Sequence, residues 1–308
     1  MTVRSGEHRR DATSADGSIG LGRGVLISGA STGIGRACAL ELAKRGVLVF
    51  AGVRRPEAGE ALRTQSEGRI VPLPLDVTDA ESIAAAVQRV AETNGERALS
   101  ALVNNAGIVV AGPLEFLPLA ALRAQFDANV FGTVALTQAC LPLLRAGHGR
   151  IVNMSSISGR FASPLLGPYA ASKFALEALS DSLRRELAPW GIPVSVVEPG
   201  KVATPIWEKS AAAAETLLEG FPAEATAYYG PAIERSKQRA LRASRTGIPA
   251  EAVAAVVFAA LTADRPRTRY LVGRDARIGA LMARFLPDRV LDRYVRRTRS
   301  PAPAEPGG

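Results

Sequence analysis

Val25-Leu26-Ile27-Ser28-Gly29-Ala30-Ser31-Thr32-Gly33-Ile34-Gly35 decides the fold of this chain. A short β-branched run ends in a glycine-rich turn, and the turn opens an amphipathic stretch at 34–45. Strand, tight turn and helix make the first half of a βαβ unit. Gly29, Gly33 and Gly35 let backbone N–H groups approach a pyrophosphate, with Ser31, Thr32 and Ile34 filling the turn between them. The helix N-terminus adds a partial positive charge at the same place. The spacing is G-x-x-x-G-x-G, not G-x-G-x-x-G, so by itself the turn also suits a plain structural bend.

Outward from that stretch, short apolar runs alternate with helical periods. Strands are expected at 25–28, 47–53, 70–75, 101–104, 150–154 and 193–197, and amphipathic helices at 34–45, 79–92, 117–144 and 170–188. Strands alternating with helices predict parallel pairing, and right-handed crossovers put helices on both faces of a doubly wound α/β sheet. Past residue 204 the rhythm changes. Two helices are expected over 207–246, joined near Gly220-Phe221-Pro222, then a helix at 249–262 and a strand at Arg269–Val272. The tail at 277–297 is amphipathic, and Pro287 marks the start of a new helical segment.

The chain has 308 residues, 47% of them hydrophobic, enough for one large α/β domain. Cys38 and Cys140 sit in apolar helical runs and read as core thiols, not a disulfide framework. His8 and His148 have no companions at ligand spacing, so no metal site is expected. Residues 1–22 are polar and are expected to be disordered, with no secretory h-region. No unbroken apolar run reaches the ~20 residues of a membrane span, and a cytoplasmic protein is expected. The net charge is +9, with eleven arginines between Arg265 and Arg299 opposed only by Asp275, Asp288 and Asp292. Such a patch suits a solvated face, an anionic membrane or nucleic acid; nucleic acid is not the expected partner.

The next strand ends in Gly52-Val53-Arg54-Arg55, where an acidic residue would hydrogen-bond a ribose 2′-hydroxyl. An apolar residue followed by arginines suits a 2′-phosphate instead, so Arg54 points to NADP(H) over NAD(H). Asp76, followed by Val77, closes the third strand and is placed to accept from an adenine amine. Asn104-Asn105-Ala106-Gly107 puts a small polar turn at the end of the fourth, beside the ribose. Farther on, Tyr169 and Lys173 lie four apart in a helix and so share a face. An ammonium beside a phenol favours the phenolate, so the Tyr169 pKa is expected to fall and suit proton exchange with an alcohol or carbonyl. Alone, such a pair is an ordinary surface pair; the motifs around it give it meaning.

Gly29-x-x-x-Gly33-x-Gly35, Asn104 to Gly107, Asn129, Ser156, Tyr169-x-x-x-Lys173 and Pro199-Gly200-Lys201-Val202-Ala203-Thr204 occur in order. Together they resemble the short-chain dehydrogenase/reductase family over residues 23–204. Ser28 stands where the family usually has threonine, keeping the hydroxyl. The resemblance implies a Rossmann-like sheet of about seven strands in the order 3-2-1-4-5-6-7. It implies Tyr169 as general acid/base, Lys173 as its tuner and ribose anchor, and Ser156, not Ser155 or Ser158, as hydrogen-bond donor to the substrate oxygen. Asn129 resembles the asparagine that anchors a relay water. Pro199, Gly200, Val202 and Thr204 resemble the segment that holds the nicotinamide.

Ser180 to Leu187, Val197 to Gly200 and Arg269 to Ala276 resemble the retinol and hydroxysteroid branch of that family. A lipophilic alcohol or carbonyl is therefore the expected substrate. Phe161, Leu165, Leu166, Ile206 and Trp207 are the expected apolar pocket, though Phe161 and Leu165 equally suit core packing. Residues 23–276 form the expected domain, with 207–246 as a substrate lid and 277–308 as a tail that either shields the pocket or a dimer surface, or lies on a membrane. The family also implies a homodimer or homotetramer through the long helices. A non-catalytic dinucleotide sensor is the alternative function, although it has no chemical use for an intact Ser156, Tyr169 and Lys173.

Overall fold

A computed structural model describes residues 20–94 and 98–299, the side chains of 296–299 excepted. Seven parallel strands form one sheet in the order β3-β2-β1-β4-β5-β6-β7. They are β1 (Val25–Ile27), β2 (Val49–Val53), β3 (Ile70–Pro74), β4 (Ala101–Asn104), β5 (Arg150–Met154), β6 (Val194–Pro199) and β7 (Arg269–Val272). Register carries the turn of the opening motif to the centre of the sheet. Ile27 lies between Ala51 of β2 and Val103 of β4, so the chain leaves β1 where the strand order reverses. Ligands of doubly wound sheets bind at that switch point.

Alternation along β1 shows why the sheet is covered on both sides. Val25 and Ile27 join one core and Leu26 the other. The first core is closed by α1 (Gly33–Lys44), α2 (Pro56–Gln65) and α9 (Ala250–Thr262) through residues such as Leu42, Leu62 and Val257. The second is closed by α3 (Ala80–Asn94), α5 (Gly132–Gly147) and α6 (Gly167–Leu187), with Ile83, Leu136, Leu144 and Leu187 facing the sheet. Strands buried on both faces read as unbroken apolar runs, as in β2 and β4. Cys38 belongs to the first core and Cys140 to the second, and burial pushes both thiols up to about 12.

Four details depart from the expectations. Helix α2 was not anticipated: its polar sequence buries only Gly59 and Leu62. The stretch expected at 117–144 is α4 (Leu119–Phe126), one π-helical turn at Asp127–Phe131, then α5. That continuous helix, Leu119–Gly147, is long and apolar enough to cross a membrane by length and composition, although no unbroken apolar run marks it in the sequence. It packs Leu136, Cys140 and Leu144 into the second core. The segment expected to be disordered lies outside the described residues up to residue 19, but Leu21 at its end is buried in the first core. The tail helix begins earlier than expected, as α10 (Arg274–Phe285), and α11 (Asp288–Arg299) follows directly on Pro287.

Outside the two cores, α7 (Ile206–Glu219) and α8 (Ala223–Thr246) pack on each other as a hairpin. Of the 24 residues in α8 only Ala225 and Ala243 are buried.

Candidate active site

The glycine turn is held by the end of β4. Ser28 Oγ accepts from the Asn105 and Ala106 backbone N–H groups, both at 3.0 Å, and Asn105 Nδ2 returns bonds to the Ser28 and Gly29 carbonyls. Two acceptor lone pairs are what this role needs, so serine serves as threonine would. Gly29 has φ +65°, and a Cβ there would meet the Ala106 Cα at 2.8 Å. A Cβ on Gly35 would sit 2.3 Å from the Gly29 carbonyl oxygen. The turn is therefore closed to side chains on two counts, conformation and contact. It leads into α1, whose N-cap Thr32 makes no side-chain cap bond.

Arg54 and Asp76 lie at the ends of β2 and β3, beside this cradle. Burial works against the Asp76 charge, but bonds from the Thr78 N–H and hydroxyl, with Arg54 nearby, hold the carboxyl below its ordinary value. Val77, next in line, is buried in the second core.

The side chains expected to be catalytic, Ser156, Tyr169 and Lys173, meet between the end of β5 and the start of α6. Ser156 caps the 3₁₀ turn at Ile157–Gly159, with its Oγ accepting from the Ser158 N–H at 3.1 Å. The same hydroxyl faces the Tyr169 phenol and favours its ionised form. Lys173 Nζ stands 5.7 Å from the Tyr169 ring centre and donates to the Met154 carbonyl at 2.7 Å, which leaves two of its three N–H groups. Both residues are buried, at 8% and 7% exposure. That burial reverses the expected shift: it pushes the Tyr169 pKa up, against the Ser156 hydroxyl. Burial also pulls Lys173 down to about 8, opposed by the carboxylate of Glu177 one turn along. The phenol is thus a proton donor at neutral pH, and the lysine is the group that titrates near it.

Asn129 stands in the π-helical turn, a feature that often marks functional sites. Its Oδ1 accepts from Ile108 N–H at 2.8 Å; its Nδ2 donates to the Ile108 carbonyl and to Ser172 Oγ. The side chain ties the loop after β4 to α6, directly beside Lys173. Past β6, Gly200 packs on Asp275, whose Oδ2 accepts from Lys201 N–H at 2.8 Å. Val202 pairs with Ile248 as an isolated bridge, and Thr204 is buried beside Gly33. The segment after Pro199 is thereby brought to the opening glycine turn.

A cavity of about 560 Å³ opens at Ser156. Phe161, Leu165, Leu166 and Trp207 line it as expected. Leu165 is one of three described non-glycine residues at positive φ, +66°, a strained conformation held by its carbonyl bond to Gly112 N–H. Ile206 is a correction: it does not line the cavity, because successive positions at the start of α7 point in different directions and Trp207 takes the inward one. The walls are also less apolar than expected, since Lys201, Glu215, Lys237, Arg239, Arg242 and Asp275 contribute. Basic spacing along 235–245 with no acid after Glu234 was the available sequence signal.

The short chain dehydrogenase family model matches residues 23–215. The chain is 35% identical to an NADPH-dependent 3-dehydrocapnine reductase of Ornithobacterium rhinotracheale, covering 88% of this chain and 95% of that protein. It is 38% identical to retinol dehydrogenase 5 of Mus musculus, covering 87% and 86%. A short chain dehydrogenase from Burkholderia cenocepacia J2315, solved in complex with NADP, superposes with a TM-score of 0.70 at 26% identity, covering 89% and 98%. With the sheet order, the glycine turn and the Ser156, Tyr169 and Lys173 cluster already in place, these likenesses carry one conclusion: the chain belongs to the short-chain dehydrogenase family of oxidoreductases.

Proposed function

We propose that this protein interconverts an alcohol and its carbonyl on a lipophilic substrate, with NADP(H) as cofactor. The observation that carries the reading is the buried cluster of Ser156, Tyr169 and Lys173, of which Ser156 lines the cavity. The glycine turn at the head of α1 suits a dinucleotide pyrophosphate, because it brings backbone N–H groups and a helix N-terminus to one place, and Arg54 gives a 2′-phosphate a cationic partner. The relatives named as an NADPH-dependent reductase and solved with NADP support that choice. When bound, the cofactor supplies or accepts the hydride.

The residues of the chain do the rest. Tyr169, kept protonated by burial, gives its proton to a carbonyl oxygen or takes one from an alcohol. Ser156 hydrogen-bonds the same oxygen and steadies the developing negative charge. Lys173 is aligned by Met154 and supplies positive charge and N–H groups toward the ribose. Asn129 donates to the Ser172 hydroxyl on α6, and its place in the π-helical turn suits the anchoring of a relay water. Pro199, Gly200, Val202 and Thr204 hold the nicotinamide end. Phe161, Leu165 and Trp207 accept the apolar body of the substrate, of the retinoid- or steroid-like class after which relatives called retinol dehydrogenase and 17-beta-hydroxysteroid dehydrogenase are named.

The test is turnover of aliphatic, retinoid and steroid carbonyls with NADPH and with NADH, followed by loss of reduced-nicotinamide absorbance. Turnover that disappears in Tyr169→Phe supports the reading. Tight NADPH binding with no turnover in either direction on the whole panel overturns it in favour of a dinucleotide sensor.

Two surfaces extend the proposal. Leu119, Phe131, Phe174 and Leu179 are exposed apolar residues on α4 to α6 and suit a homodimer or homotetramer. Ile278, Leu281 and Phe285 are more than half exposed on α10 beside Arg274, Arg277 and Arg284, which suits weak contact with an anionic membrane surface.

A further inference from the structure

The cavity at Ser156 combines two chemistries that a neutral retinoid or steroid does not need together. Phe161, Leu165, Trp207, Leu218, Ile233 and Met282 form an apolar lining. Against it α8 brings Lys237, Arg239 and Arg242. Lys237 is ion-paired with Glu215 and so is neutralised within the wall. No carboxylate is paired with Arg242 among the described residues, and the one acid preceding these cations on α8 at close range, Glu234, bonds to Gln238.

Arg239 also stands one turn after Arg235, and like charges at that spacing oppose a helix. Burial and the Arg235 charge together pull the Arg239 pKa below its ordinary value. The helix dipole accounts for basic residues only in the last turn, and Arg239 lies two turns before Thr246. Arg239 and Arg242 both line this wall, and their planar guanidinium groups suit the oxygens of an anion taken two at a time.

We infer that the substrate of this site is an anionic amphiphile: an alcohol or carbonyl on an aliphatic body that also carries a carboxylate, sulfonate or phosphate, the anion bound by Arg239 and Arg242 and the body by the apolar wall. The inference rests on the alcohol/carbonyl reading for the reaction itself, but not for the binding. It makes α8 a selectivity element, placed outside the catalytic cluster.

Calorimetric titration of the full chain tests it without turnover. The probes are sodium decanesulfonate, sodium decanoate, decyl phosphate and neutral 1-decanol, at low and high sodium chloride. At least one anionic probe is expected to bind tenfold or more tightly than 1-decanol, and the advantage is expected to shrink as salt rises. Arg239→Gln with Arg242→Gln should reduce the advantage to twofold or less while leaving 1-decanol binding in place, which also shows that the variant is folded. Arg239→Lys with Arg242→Lys should keep most of it, and Arg245→Gln, outside the cavity lining, should keep all of it. Equal binding of all four probes, no binding of any, an advantage that survives the double glutamine variant, or equal loss in Arg245→Gln overturns the inference. The pattern among the anionic probes tells carboxylate from sulfonate and phosphate. Selective anion binding without hydride transfer to any carbonyl would sink the oxidoreductase reading and leave this inference standing.

Discussion

The β1–α1 turn and the α7–α8 hairpin sit at two sides of one site and are built in opposite ways. Around the turn, positions are tightly determined: a Cβ at Gly29 or Gly35 collides with backbone, Ser28 uses two lone pairs, and six of the twelve residues of α1 are buried. In the hairpin, α7 buries only Ser210 and Ala211, and α8 two alanines. The cofactor side is a packed solid in which small errors of geometry are costly. The hairpin has few buried contacts and belongs to the low-stability end of the molecule, as lids and binding elements do. One side holds a constant chemistry; the other is free to change what is delivered to it.

The sharpest way to break this comparison is to remove the proton donor. Tyr169→Phe should lower kcat by about 10³-fold or more while NADPH affinity measured by fluorescence stays within a few fold. Retained turnover would mean that the cluster is not where the chemistry happens. Next in size, Glu198→Ala should destabilise the sheet side by about 3–5 kcal/mol in urea unfolding. Glu198 is fully buried and pairs with Arg160 and Arg269; its loss strands Arg160, while Arg269 keeps Glu177 and Asp181. A shift below 1 kcal/mol would show that Arg160 finds water instead.

A third prediction separates the two halves of the cofactor cradle. Arg54→Ser should weaken NADPH binding about tenfold to a hundredfold and NADH binding hardly at all, since one charge-assisted contact of about 1.5–3 kcal/mol is removed. Equal losses would assign Arg54 a structural role. The pH profile is smaller but more specific. Lys173 is charged below its folded pKa of about 8 and neutral above it. If its charge supports proton transfer, kcat/KM for carbonyl reduction should fall as pH rises through about 8 in the free enzyme. For stability the sign is opposite: between about 8 and the ordinary lysine value of 10.5 the unfolded chain binds more protons, so this one group makes folding more favourable as pH rises. A flat kcat/KM from neutral to alkaline pH would remove Lys173 from the proton path. The last prediction tests the hairpin directly. Amide exchange in α8 should run ahead of β1, β4 and β5 and slow when a substrate analogue binds. Uniform protection would make the hairpin part of the core.

What was legible in the sequence follows the same division. The motif residues from Gly29 to Lys173 could be read because backbone conformation and buried hydrogen bonds leave few residue choices. Asn104 shows this well, donating at once to Thr137 and Asn153. Helix α2 escaped because burial of Leu62 and the close packing of Gly59 against Pro72 leave no apolar period to detect. The fall expected for the Tyr169 pKa was wrong because charge pairing can be read from spacing but desolvation cannot. Of the neighbours Ile206 and Trp207, both expected in the pocket, only Trp207 lines the cavity. The cations of α8 were visible as letters, yet only the folded hairpin turns them toward a cavity whose other walls come from the loop between β5 and α6, the segment after β6, and α10.

The two cysteines carry a practical consequence. Each thiol is locked in a different core, and at a pKa of about 12 neither offers thiolate to a reagent in the native state. Alkylation can occur only when the layer covering that thiol opens. Cys38 therefore clocks the separation of α1 and α9 from the sheet, and Cys140 that of α5. With no label introduced, the chain carries a pair of internal timers that tell whether its two faces come apart together or one after the other.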